Sequence, residues 1–145
     1  MNKKAKDLKM FKSNFANPHG LGNVLNVSTA KDMMILCRYA VENDAFRKVM
    51  STKEYRCELY EENLQSIGSR VWKNTNKLID MGWEGIKTGH TPSAGCCLAG
   101  LKNGIYTVVL NSSTIESRFE DTMEIYRWYQ TKGVVAIKSS KELSV

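Results

Sequence analysis

The sequence predicts an α+β domain in which a small antiparallel sheet is covered by helices, and three observations predict it. Met33, Leu36, Cys37, Ala40 and Val41 repeat at the spacing of one helix face. Asn103-Gly104 stands between two apolar runs, the strongest short-range hairpin signal. Phe119, Met123, Tyr126 and Gln130 then mark one row of a final helix. Helices, a strand meander and a closing helix give a sheet with helices packed on it.

The elements follow in order. Residues 2–12 are short and helical in composition. NFANPHGLGN (14–23) is a loop, because Pro18, Gly20, Gly22 and the asparagines break regular structure. A helix spans about 29–42, and Thr29 followed by Asp32 resembles a capping box. AFRKVMSTKEY (45–55) reads as a short helix running into an extended segment, and KNTNKLI (73–79) as a polar turn before another short element. Three antiparallel strands are expected near 83–88, 95–101 and 105–111. The final helix, 114–131, is expected to start at a Ser113–Glu116 capping box. Trp128 and Tyr129 are expected to widen its apolar face, and Gly133 to stop it. VVAIK (134–138) is a candidate extra strand, so the chain divides into a domain, 1–133, and a C-terminal extension, 134–145.

At 145 residues with 42% hydrophobic and 25% charged side chains, the chain is one domain's worth of globular protein. No run approaches the ~18 apolar residues of a membrane span. The basic start, MNKKAKDLKMFK, has no apolar stretch behind it and does not read as a secretory signal. Cys37, Cys57, Cys96 and Cys97 lack metal-ligand spacing, so no metal or cofactor is expected, and unpaired thiols point to a reducing, cytoplasmic setting. The net charge of +6, with five lysines against one aspartate in the first twelve residues, predicts attraction to anionic surfaces. The expected partner is a protein or a large anionic assembly such as a microtubule lattice or a ribosome. Basic and aromatic residues are not interleaved, so sequence-specific nucleic-acid reading is not expected.

The chemistry concentrates in EGIKTGHTPSAGCCLAG, residues 84–100. A strand ending in Lys87-Thr88-Gly89 offers backbone groups to an extended peptide, and Gly89 lets that peptide come close. The Lys87 ammonium and Thr88 hydroxyl suit a terminal carboxylate. A lone strand-end lysine is more often merely exposed, but this one has flanking matches. NFANPHGL (14–21), STAKDMMILCRYA (28–40), FRKVMSTKEY (46–55), NTNKLI (74–79), GIKTGHTPSAGCCL (85–98) and SRFEDTMEIYRW (117–128) each resemble segments of the D-alanyl-D-alanine carboxypeptidases of the low-molecular-weight penicillin-binding protein type, in that family's order. The resemblance implies part of a transpeptidase fold of the penicillin-binding-protein and β-lactamase kind. It also implies substrate binding by Lys87, Thr88, Gly89 and His90, with the His90 backbone N–H as one of two oxyanion donors.

The family's nucleophile, a serine in Ser-x-x-Lys, and its Ser-x-Asn element lie upstream of the segments matched here. No Ser-x-Asn or Tyr-x-Asn occurs in the chain. Ser28-Thr29-Ala30-Lys31 does fit Ser-x-x-Lys, but the resemblance places it on a later helix, where the serine–threonine pair caps the helix. His19 reads as a turn residue, and no catalytic residue is assigned. The first two strands of the family's sheet lie outside the match, and VVAIK or a partner would take their place. Two readings follow: a non-catalytic half-domain kept as a structural or interaction module on an anionic assembly, or part of a serine-type carboxypeptidase whose nucleophile lies on another chain or segment.

Overall fold

The computed structural model describes residues 1–133, so the candidate strand 134–138 and the extension 134–145 lie outside the described residues. A short helix α1 (Asn2–Asp7) leads through the 14–23 loop to α2 (Ala30–Val41) and α3 (Asp44–Ser51). Two strands, β1 (Glu54–Tyr60) and β2 (Ser66–Lys73), come next, followed by a 3₁₀ turn, Lys77–Met81. Strands β3 (Gly85–Thr91), β4 (Gly95–Lys102) and β5 (Ile105–Ser112) precede α4 (Ser117–Trp128), which ends in a π-helical turn, Tyr129–Gly133.

The two helix starts expected to be capping boxes differ. Thr29 Oγ1 accepts the Asp32 backbone N–H at 3.2 Å, as a cap should. The buried Asp32 carboxylate does not return the bond. It accepts from the Lys12 N–H at 2.9 Å and the Ser13 hydroxyl at 2.7 Å, tying the chain after α1 to the start of α2. At α4 the Ser113–Glu116 box does not form. Thr114 Oγ1 takes the Ser117 N–H at 2.9 Å, while the Glu116 carboxylate reaches Lys77 Nζ at 2.7 Å. In a run of three hydroxyl residues the local bond one step further on wins, and α4 begins at Ser117 rather than 114. Trp128 also departs from expectation. It lies two residues past the buried Tyr126, on the opposite side of the helix, and is 58% exposed.

β3, β4 and β5 form one antiparallel sheet in that order. The Asn103-Gly104 turn joins Lys102 to Ile105, with φ of 49° and 74°, the pair of positive values that a tight hairpin requires. Each face of the sheet carries its own core. On one, Cys37 and Val41 of α2 and Met50 of α3 pack with Ile86, Ala99 and Leu101. On the other, Leu78, Trp83 and Leu98 meet Phe119 and Tyr126 of α4, the Trp83 and Tyr126 rings lying 5.3 Å apart. Gly100 makes room for this second core, since a Cβ there would stand 2.8 Å from both the Trp83 ring and Thr107 Oγ1. The second strand of the separate β1–β2 ribbon is an element the sequence reading did not anticipate.

Candidate functional site

The site grows from β3, an outer strand whose second edge is unpaired among the described residues. Alternation along the strand sorts its side chains. Thr88 stands opposite Leu98 and is buried, whereas Lys87, opposite Ala99, is exposed. The Lys87 ammonium folds back to donate to the Thr88 carbonyl. The Thr88 hydroxyl lies 2.7 Å from the Thr75 hydroxyl, which ties β3 to the polar turn before Lys77. Next door, the Asn76 side-chain oxygen caps that turn by accepting the Leu78 N–H at 3.1 Å, while its buried Nδ2 has no hydrogen-bond partner among the described residues.

Gly89 faces Cys97 across the ladder and His90 faces Cys96. His90 is exposed, and its Nδ1 lies 3.3 Å from Cys96 Sγ. Lys87, Thr88, Gly89 and His90 are thus held as consecutive residues of one rigid strand edge.

Sequence reasoning missed Arg118. This arginine sits in the first turn of α4, is 6% exposed, and donates from Nη1 to the Gly89 carbonyl at 3.2 Å. Its guanidinium lies 4.8 Å from the Phe119 ring centre, and its buried Nε has no hydrogen-bond partner among the described residues. A buried guanidinium with a donor to spare is a strong attractor for an anion, because its desolvation is only partly offset by one carbonyl. Nothing local in SRFED marks it, as an arginine in a first turn ordinarily reads as solvated surface. Arg118 on the Gly89 carbonyl, the paired threonine hydroxyls and the Lys87 ammonium on the Thr88 carbonyl thus attach to neighbouring residues of β3, and groups of these kinds suit a carboxylate.

The remaining candidates fall elsewhere. Ser28 Oγ lies 2.8 Å from Ser13 Oγ, beside the cap of α2, and Lys31 is exposed. His19 accepts the Leu21 N–H on Nδ1 at 3.1 Å, inside the 14–23 loop. All four cysteines are free, and Cys96 and Cys97 occupy opposite faces, one buried and one half-buried. Burial pushes the Cys37 thiol from 9.0 up to about 11. Among the described residues no three His, Cys, Asp or Glu side chains gather to hold a metal ion, and no helix is long and apolar enough to cross a membrane.

The sequence profile of the D-alanyl-D-alanine carboxypeptidase family matches residues 1–114. The chain belongs to this family. It is 32% identical to the D-alanyl-D-alanine carboxypeptidase of Streptomyces sp. strain K15 over 134 residues, which cover 88% of the chain and 46% of that relative. It is also 32% identical to the D-alanyl-D-alanine carboxypeptidase DacF of Bacillus subtilis, covering 98% of the chain and 40% of DacF. The crystal structure of the Streptomyces K15 DD-transpeptidase superposes with a TM-score of 0.81, over 88% of this chain and 51% of that one. The fold is therefore part of a penicillin-binding-protein-like DD-peptidase domain, with the antiparallel sheet and covering helices expected. The chain spans about half the length, or less, of the curated relatives it matches.

Proposed function

We propose that this member of the carboxypeptidase family supplies the carboxylate-binding half of a serine-type D-Ala-D-Ala peptidase site and does not hydrolyse the peptide unaided. The observation that carries this reading is Arg118, a buried guanidinium that donates to the Gly89 carbonyl and whose Nε has no hydrogen-bond partner among the described residues. An extended peptide adds itself along the open edge of β3 through its backbone, and its terminal carboxylate draws on Thr88, Lys87 and Arg118. In the family reaction a serine hydroxyl then attacks the penultimate D-alanyl carbonyl. The C–N bond breaks, D-alanine departs with a proton, and water resolves the acyl-enzyme. Ser28 is engaged with Ser13 at the start of α2, which supports a nucleophile supplied by another segment or chain.

The test has two arms. A diacetyl-Lys-D-Ala-D-Ala peptide titrated into the chain should shift the backbone resonances of Lys87–His90, and Arg118→Leu should abolish those shifts. The same mixture should release no D-alanine, and benzylpenicillin should add no mass to the intact protein. Fusing the chain behind a segment that carries the family's Ser-x-x-Lys and Ser-x-Asn elements should confer acylation. A penicillin adduct on Ser28 of the unfused chain, or no peptide shifts at all, overturns the proposal.

A second reading rests on charge. Lys3, Lys4 and Lys6 of α1 are all exposed, in a chain of net charge +6. These lysines suit a non-catalytic module docked on a large anionic cytoplasmic assembly, a microtubule or a ribosome. That reading gains if salt-sensitive co-sedimentation with either assembly is found and peptide binding is not.

A further inference from the structure

We propose that Cys96 is a positioning residue for His90. Its thiol donates to Nδ1 and holds the imidazole as the Nε2–H tautomer, so that the ring presents an N–H donor at the β3 edge. The proposal deepens the carboxylate-binding reading and rests on it for its purpose, though not for its test.

The two residues are direct partners in the β3–β4 ladder and therefore share a face of the sheet. Their side chains meet at 3.3 Å between Sγ and Nδ1. Cys96 is 3% exposed, and among the described residues the imidazole is the hydrogen-bond partner its sulfur has. Its neighbour Cys97 points the other way, with Sγ 3.4 Å from the Ala94 carbonyl. The adjacent thiols are thus not interchangeable.

Three proton arrangements fit a sulfur and a ring nitrogen at this distance, and burial separates them. If Nδ1 carried the proton, it would donate to sulfur, a weak acceptor, and the S–H would be left without an acceptor in a site closed to water. A thiolate facing an imidazolium would put a bare sulfur charge where almost no water reaches it. With S–H donating to Nδ1, each group uses its natural role and no charge is buried. A neutral imidazole has one donor and one acceptor, so an accepting Nδ1 leaves the proton on Nε2. His90 is exposed, so this N–H is open to an incoming anion. The opposite tautomer would offer a lone pair there, which a carboxylate avoids.

The second histidine supplies an internal reference. His19 Nδ1 accepts a backbone N–H from Leu21, which no change at Cys96 removes, so His19 is also held as Nε2–H. Long-range proton–nitrogen correlation spectra of the unliganded chain, recorded where both rings are neutral, read the tautomers directly. Both histidines should show a pyridine-like Nδ1 and a pyrrole-like Nε2. In Cys96→Ala the His90 Nδ1 signal should move toward the exchange average while His19 stays fixed, and Cys96→Ser should restore the original pattern. Cys96→Val, which fills the space without a donor, should behave as Cys96→Ala does, and the backbone amide spectrum reports whether each variant is folded. A pyrrole-like Nδ1 on His90 in the unsubstituted chain overturns the proposal. So do two pyrrole-like nitrogens, or a His90 pattern unmoved in both Cys96→Ala and Cys96→Val. Because no peptide is present, the tautomer can stand if the carboxylate reading fails, and fail if that reading stands.

Discussion

The β1–β2 and β4–β5 hairpins are built alike and covered very differently. Both are antiparallel pairs of seven- or eight-residue strands. Every residue of β1–β2 is exposed except the half-buried Cys57, and Tyr55, Leu59 and Trp72 lie on its surface. In β4–β5, by contrast, Leu98, Ala99, Leu101 and Val109 are buried, with α2 and α3 on one face and α4 on the other. Ladder hydrogen bonds exchange water partners for protein ones at small net gain, so the two hairpins differ in stability through apolar burial. The candidate site is attached to the covered one. Arg118, Thr88 and His90 hold their relative positions because β3 is paired to β4, α4 is packed onto β4 and β5, and Arg118 bonds α4 to the Gly89 carbonyl of β3.

The sharpest way to break this comparison is to remove one leucine from each hairpin. Leu98 is 1% exposed beneath Phe119 and opposite Thr88, whereas Leu59 is 37% exposed. Leu98→Ala should lower unfolding stability by about 2–5 kcal/mol in urea titrations. Leu59→Ala should change it by less than about 0.5 kcal/mol. Comparable losses at the two positions would mean that the ribbon is covered after all.

A smaller effect comes from the glycines. Gly100→Ala drives a methyl into the Trp83 ring and Thr107 in a core packed on both sides, and should cost about 1–3 kcal/mol. Gly68 in the ribbon has open space around it, and only its φ of 117° opposes a side chain. Gly68→Ala should therefore cost on the order of 1 kcal/mol, without changing the Trp83 fluorescence that Gly100→Ala perturbs. Identical fluorescence in the two variants would remove the claim that Gly100 seats Trp83.

How much of the molecule could be read from the sequence follows the same division. The sheet β3–β5 was legible because Asn103-Gly104 fixes a turn with two positive φ values, and the flanking runs then pair in one register from Lys102–Ile105 to Leu98–Val109, with a shift only beyond Leu98. β2 was not, since SIGSRVWK is exposed on both faces and so lacks the alternation that marks a half-buried strand. The start of α4 was misread because neighbouring hydroxyls compete for the same N–H. The Lys87–His90 segment was legible as a contiguous string, and the structure places all four on one edge. Arg118 and Cys96 were not, because their importance comes from contacts across 29 and 6 residues of chain that no local pattern encodes.

The thiols sharpen the comparison by pH. Cys37 lies in the core that α2 and α3 make with the sheet, and Cys57 lies in the ribbon. Desolvation raises the Cys37 thiol from 9.0 to about 11, so the folded chain holds that proton where the unfolded chain has released it. Because the folded value is the raised one, its contribution to stability is complete below about pH 9 and is lost as pH climbs toward 11. Within that window stability falls as pH rises. Lysines and tyrosines also titrate there, so the measurement is a difference. Urea midpoints of the unsubstituted chain and of Cys37→Ala, taken at pH 8 and pH 10 under reducing conditions, should converge at the higher pH, because the variant has no thiol to lose. At pH 8 the native protein should alkylate at Cys57 while Cys37 stays unmodified until urea unfolds it. A Cys37 thiol alkylated as fast as Cys57 in the native state would show that the core opens as readily as the ribbon, and the contrast between the two hairpins would fall with it.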